Sequence, residues 1–282
     1  MNIRPRRSVL YMPGANARAL EKAKSIDADA LILDLEDSVA PEAKAAARSQ
    51  VAAAVKAGGF GRRELAIRVN GLDTPWGAED MAAACAAAPD AILVPKVSTP
   101  ADVARAVALM AGAPAKTGLW AMMETPLAVL NAREIAAGHA RLACLVIGTN
   151  DLVKETRASA ANGRFALVPM LSPCVLAARA FGRDVIDGVY NDFKDKAGFR
   201  LECEQGRLLG MDGKTLIHPG QVAICNEVFS PSPAERQWAA KVIAAFADPV
   251  NATKGVITLD GRMVERLHLA MAERVAAMAV AA

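Results

Sequence analysis

The segment "DALILDLEDSV" (29–39) is an apolar run that ends in three carboxylates, Asp34, Glu36 and Asp37. Carboxylates that close repel one another, and each loses hydration as it is buried. Such a cluster at the tip of an apolar run calls for a cation. Other short apolar runs also end in reactive types. Arg68 and Asn70 close "ELAIRVN", Lys96 closes "AILVPK" and Glu124 closes "TGLWAMME". Asn150 and Asp151 follow "LACLVIGT", and His218 ends "KTLIH". Two carboxylates on adjacent strands, Glu124 and Asp151, could face one space. Hard oxygen donors that leave positions for water and substrate suit Mg2+, or Mn2+ in its place. Neither has a His or Cys beside it, which disfavours zinc and copper.

Each residue also has a plainer reading. Glu124 stands before a turn-forming Thr-Pro, and Asp151 could cap the next helix. Asp34, Glu36 and Asp37 would orient metal-bound waters, or simply pair with nearby Lys or Arg. Arg68 follows an apolar pair in an alternating run, so it points inward and needs an anion. That anion is the acid cluster, a substrate carboxylate gripped bidentately, or both. His218 reads as a packing element, His139 and His268 fall in helical patterns, and a Schiff-base role for Lys96 is redundant beside metal ligands.

The elements that must position these residues are legible from periodicity. Strands are expected at 7–13, 29–36, 64–70, 91–96, 117–124, 142–149, 185–189 and 214–219. Helical patterns run through 15–26, 41–57, 100–111, 126–137, 172–181 and 219–228. About eight strand–helix units is the number that closes a (β/α)8 TIM barrel, whose active sites lie at the carboxyl ends of the strands. An open doubly wound sheet is the alternative, but no Gly-x-Gly-x-x-Gly turn follows the first strand. The barrel is expected over 1–230 and a C-terminal helical extension over 231–282. Ser232, Pro233 and Glu235 read as a helix start. A loop with a turn at Asp260-Gly261 then leads to a last helix from about 262; Asp212-Gly213 reads as another turn.

Composition bounds the function. The 282 residues are 53% hydrophobic and 22% charged with a net charge of +3, typical of a globular protein. Lys and Arg are interleaved with acids and few aromatics accompany them, so nucleic acid is not an expected partner. Five widely spaced cysteines without a Cys-x-x-Cys pair fit reduced thiols in the cytoplasm. The start lacks the apolar stretch of a signal peptide, and no run nears the roughly 18 apolar residues of a membrane span.

The pieces "RSVLYMPG", "ADALILDLEDSVAPEAKAAAR", "IRVNGLDTPWGAED", "ILVPKV", "METPLAV", "IGTNDL", "GKTLIHPGQV" and "NEVFSPS" cover nearly the whole chain. Together they resemble the citrate lyase beta-subunit-like family, which includes malyl-CoA lyases. The resemblance implies a TIM barrel with Mg2+ held by Glu124 and Asp151. It implies that Arg68 grips the 2-oxo acid part of the substrate and that Asp34, Glu36 and Asp37 hold metal-bound waters. Arg7, Arg18 and Lys22 are its candidates for the phosphates of a CoA thioester. It further implies a homotrimer or hexamer in which the C-terminal segment helps cover a neighbour's site.

One departure stands in the last segment, "LDGRMVERLHLA". Glu265 occupies the place of the family's acid/base Asp, and its extra methylene adds about 1.5 Å of reach, a misplacement that can cost roughly a hundredfold. Asp260, just upstream, could substitute; Glu265 could equally be an exposed helix residue. The activity expected is reversible carbon–carbon cleavage of a 3-hydroxyacyl-CoA to an acyl-CoA and a 2-oxo acid. Mg2+ would stabilise the alkoxide, and Glu265 would protonate the enolate. The alternatives are a citryl-thioester lyase subunit working with an acyl carrier protein, a malyl-CoA-type thioesterase, and a non-catalytic member of the family.

Overall fold

The computed structural model describes residues 4–281. Eight parallel strands close a barrel in chain order: β1 (Ser8–Pro13), β2 (Ala30–Asp34), β3 (Glu64–Arg68), β4 (Ala91–Val94), β5 (Gly118–Met123), β6 (Leu142–Ile147), β7 (Asp184–Asp187) and β8 (Gly213–Leu216). β8 pairs back onto β1, with Val9 opposite Thr215. Closure removes the open-sheet alternative, and all eight expected strands are present.

Side-chain parity organises the interior. Val9, Ile32, Ala66, Leu93, Trp120, Val146 and Ile186 form one buried cluster. Two residues further along, the same faces of β1, β2, β3 and β5 carry Tyr11, Asp34, Arg68 and Met122 to the mouth, and Glu124, two beyond Met122 and just past β5, continues that face, because strand side chains repeat every second residue. At the amino ends, Arg6 bonds Glu64 at 2.7 Å, pairs with Asp184, and lies 5.3 Å over Trp120. The barrel is therefore charged at both ends and apolar between.

Several sequence expectations change. Gly213 opens β8 and is no turn residue; a Cβ there would stand 1.8 Å from the carbonyl oxygen of Arg6, so glycine permits close strand approach. The pattern at 126–137 is two helices, Pro126–Leu130 and Ala132–Ala137. Ala161–Ala180 is, by length and composition only, apolar enough to cross a membrane, although polar residues and prolines break it so that it holds no continuous apolar run of that length. Left-handed Asn162, Gly163 and Arg164 interrupt it, and Val168–Ala180 buries Leu171, Cys174 and Ala178. All five cysteines are buried free thiols.

The chain forms two compact units, the barrel unit Arg6–Asn226 and a second unit made of the described residues before Arg6 and those from Glu227 onward; the expected division was 230/231. In the second unit, Ser232 and Glu235 form the expected capping box at the start of helix Pro233–Ala247. The expected loop before the last helix is a hairpin, β9 (Val256–Leu259) and β10 (Arg262–Glu265). Its turn has Asp260 at φ 49° and Gly261 at φ 75°, the paired positive values of a type I′ hairpin turn. Helix Arg266–Ala281 follows, and Val242, Phe246, Ile257, Val264 and Ala272 form this unit's core.

Candidate active site

The carboxyl ends of the strands surround a cleft of about 380 Å3, lined by Tyr11, Asp34, Asp37, Arg68, Glu124, Gly148 and Asp151, among others. β2 and β3 are in register with Asp34 opposite Arg68. Arg68 donates from Nε and Nη2 to the two oxygens of Asp34 at 2.6 and 2.8 Å, and from Nη1 to Asp37 at 3.1 Å. Its guanidinium lies 4.8 Å over the Tyr11 ring. Asp34 also accepts from the backbone N–H groups of Glu36 and Ser38. Burial works against its charge, but Arg68 outweighs burial and holds the Asp34 carboxyl below the usual carboxylate range. Asp34 thus serves Arg68 and its own turn, and the salt-bridge reading of Arg68 holds. The exposed Asp37 reaches the solvent side of the same guanidinium.

Glu36 and Glu124 behave differently. Glu36 Oε2 is 2.9 Å from Arg68 Nη1, an ion contact, yet it makes no hydrogen bond. Burial, reinforced by Asp37 and Asp34, pushes the Glu36 carboxyl up to about 7. Glu124 is 2% exposed, and Oε1 accepts from the Lys96 N–H at 2.8 Å. Burial, then the charge of Glu36, pushes it up to about 8. Asp151 sits in the first turn of helix Thr149–Thr156, whose N-cap position is Gly148, with no side-chain cap. The capping role read for Asp151 is not what the structure shows; its carboxylate is left facing the cleft.

This donor set fits a hard divalent cation. Carboxylates pushed upward by burial and by one another are relieved when a positive charge enters. Among the described residues no three acidic, His or Cys side chains converge as a ready-made cage. Glu124 and Asp151 would form a two-carboxylate set that leaves positions for water and substrate, the arrangement Mg2+ takes. Lys96, more than half exposed, holds its ammonium 3.6 Å from Glu36 Oε1. Beyond this wall a second cleft of about 400 Å3 is lined by Glu36, Lys44, Asn70, Trp76, Lys96 and Arg105, with others.

The remaining expected residues divide. Arg18 and Lys22 are exposed, one turn apart, on helix Ala17–Ala23 after β1, where an anion could reach them. Arg7 is a correction. It precedes β1 at the barrel's amino end, buried, with two bonds from its guanidinium to Asp29 at 2.7 and 2.8 Å, so it cannot serve a phosphate at the mouth. Glu265 ends β10 in the second unit, where its N–H donates to His268 Nδ1 at 2.9 Å; it is not an exposed helix residue. His218 caps the turn after β8 and stacks on Phe193 with centroids 4.7 Å apart. Sequence reasoning passed over Gly148, and for Lys96 it weighed only a Schiff-base role, which it set aside. The backbone of both contacts Glu124, and only the Gly in "GTND" hinted at a crowded position.

Comparison with known proteins agrees with this geometry. The family model HpcH/HpaI aldolase/citrate lyase matches residues 7–219. The chain is 51% identical over 277 residues to a (3S)-malyl-CoA thioesterase of Cereibacter sphaeroides, covering 98% of this chain and 95% of that one. It is 33% identical to an L-malyl-CoA/beta-methylmalyl-CoA lyase of the same species, covering 96% and 93%. The crystal structure of CitE from Mycobacterium tuberculosis in complex with magnesium, acetoacetate and coenzyme A superposes with a TM-score of 0.79 at 28% identity, covering 98% of each chain. With its barrel and mouth residues in the family's order, the chain belongs to the HpcH/HpaI aldolase/citrate lyase family.

Proposed function

We propose that this protein is a Mg2+-dependent hydrolase of a malyl-CoA-like thioester. The observation that carries this reading is the contrast between 51% identity to a malyl-CoA thioesterase and 33% to a malyl-CoA lyase of the same species. The magnesium and coenzyme A of the CitE complex support the cofactor and the substrate class. Glu124 and Asp151 would hold the cation, which supplies positive charge to the oxygens of a bound 2-hydroxy carboxylate. Arg68, fixed through Nε and Nη2 by Asp34, would turn its Nη1–Nη2 edge to the same carboxylate and orient the acyl chain. Glu36, on the wall of the second cleft and 2.9 Å from Arg68 with its carboxyl pushed up to about 7, would take a proton from water. Water then adds to the thioester carbonyl and the C–S bond breaks. The proton passes from Glu36 to the leaving thiolate, giving the free hydroxy acid and CoA. Exposed Arg18 and Lys22 would meet the CoA phosphates.

The second reading is carbon–carbon cleavage, favoured by the inward Arg68 beside two carboxylates, which would equally steady a 2-oxo acid. It also needs an acid at the enolate carbon, and Glu265 would have to take the part of the family's Asp. The test is incubation of the purified chain with Mg2+ and malyl-CoA, with products identified by mass spectrometry. Malate and CoA are expected. Acetyl-CoA and glyoxylate without malate would overturn hydrolysis in favour of the lyase. Turnover of a free CoA thioester would also set aside the carrier-dependent alternative.

A further inference from the structure

A glutamate at a strand end has freely rotating bonds, and it presents its oxygens to a ligand only when neighbours lock it. Glu124 has two such neighbours, and neither carries a carboxylate. On one side Lys96 aims its peptide N–H at Glu124 Oε1, 2.8 Å away. On the other, Gly148 lays a bare Cα against the side chain. A Cβ at 148 would stand 2.4 Å from Glu124 Cβ and 2.6 Å from Oε2. Gly148 has φ −100°, a value open to any residue, so space and not conformation demands glycine there.

Lys96 is the reverse case. Its φ is 55°, in the left-handed region that a residue with a Cβ seldom enters. The chain is held there from both sides. Pro95 precedes it, and Val97 after it is buried. Thr99 and Asp102 then cap helix Pro100–Leu109 with a reciprocal box. An unusual backbone that persists at a site mouth is a pointer to function, and what this one accomplishes is the aim of a single N–H.

We infer that Lys96 and Gly148 are positioning residues for Glu124. The left-handed turn at Lys96 fixes Oε1, and the missing side chain at 148 leaves the space in which Oε2 stands. The inference rests on the proposed role of Glu124 as a cation ligand and extends it to two residues outside the proposed ligand pair. It makes a distinctive demand: position 96 is required for its backbone, not for its charge.

The test is a Mn2+ titration of the full-length protein without substrate, followed by the electron paramagnetic resonance signal of free Mn2+, with circular dichroism to confirm folding. Lys96→Gly enters the left-handed region freely and is expected to bind within about threefold of wild type. Lys96→Val is β-branched and shut out of that region, so it is expected to bind at least about tenfold more weakly, in the range known for residues that orient a metal ligand. Gly148→Ala is expected to lose at least as much. Equal weakening of Lys96→Gly and Lys96→Val would overturn the backbone role in favour of the ammonium. Wild-type affinity in Lys96→Val, or in Gly148→Ala, would overturn the inference for that residue. If Gly148→Ala fails to fold, the two variants at 96 decide. Glu124→Gln separates the levels: if it binds Mn2+ as wild type does, or wild type binds none, the cation reading falls and this inference with it. Lost binding in Glu124→Gln with intact binding in the other variants overturns the positioning alone.

Discussion

Two buried ionic clusters in the barrel unit use similar side chains and reach opposite electrostatic outcomes. The first lies outside the barrel wall. Ile186 faces the interior, so its neighbour Asp187 faces the helices. Arg164 donates to both oxygens of Asp187 at 2.7 and 2.8 Å. Lys214 donates to Asp187 at 2.9 Å and to Glu202 at 2.7 Å, and Arg164 also bonds Gln205. Two cations meet two acids. Burial opposes the charge of Asp187, but Lys214 and Arg164 hold its carboxyl below the usual range. The second cluster is the mouth, where Arg68 and Lys96 face Asp34, Glu36, Asp37, Glu124 and Asp151. There the acids are in excess, and two of them are pushed up to about 7 and about 8. Burial with balance makes a joint; burial without balance makes a receptor for a cation.

The comparison breaks most decisively at Asp187. Asp187→Ala leaves Arg164 and Lys214 buried with too few acids, and is expected to cost about 3–5 kcal/mol of unfolding free energy, read by urea denaturation. A loss under about 1 kcal/mol would mean that the outer cluster is not the rigid joint described. Glu124→Gln is expected to show the opposite profile. Turnover should fall by about 10²–10³-fold, the scale of a lost electrostatic partner. Stability without metal should not fall, because a carboxyl pushed to about 8 is already largely protonated at neutral pH. If Glu124→Gln destabilises the metal-free protein as much as Asp187→Ala does, the mouth is a structural cluster too.

Acidity sharpens the same contrast, because the two clusters carry linkage of opposite sign. Asp187 binds its proton less readily folded than unfolded. Its contribution is in force above the ordinary Asp value near 3.8 and disappears as pH falls through the lower folded value. Glu124 binds its proton more readily when folded. Its contribution is in force below the ordinary Glu value near 4.5 and is lost as pH rises toward about 8. Thermal unfolding of the metal-free protein should therefore show an acid limb that Asp187→Asn flattens. Glu124→Gln should flatten the decline from weakly acidic to weakly alkaline pH. Exchange of these two assignments would reverse the reading of the clusters.

Legibility from sequence followed the range of the interaction. The eight strands were visible because each is a short apolar run, and Arg68 could be turned inward by alternation alone. The Ser232–Glu235 capping box is local and was readable. The pairing of Asp34 with Arg68 depends on the register of β2 against β3, which alternation does not supply. The Asp187–Lys214 joint likewise needs β7 laid beside β8. Arg7 was misread because its charge was considered without the direction of its strand; preceding β1, it can only lie at the amino end. The β9–β10 hairpin escaped because two four-residue strands are too short for a period, although Asp260-Gly261 was recognised as a turn. Nothing in "VPKV" announces a left-handed lysine.

Asp260 supplies the mildest case. It pairs with Lys241 at 2.6 Å, and both side chains are about half exposed. An ion pair bathed in water gains little, since hydration of the separated charges offsets most of the attraction and ordering two side chains costs entropy. Asp260→Asn keeps a residue that tolerates the left-handed turn while removing the charge. It is expected to change unfolding free energy by about 0–1 kcal/mol and to leave turnover within about twofold. Asp260 was also the carboxylate that could substitute for the family's acid/base Asp, so the two readouts separate its roles. Turnover lost with stability kept would give Asp260 the proton transfer; both kept leaves it a turn residue, and leaves the buried mouth as the place where charge is out of balance for a purpose.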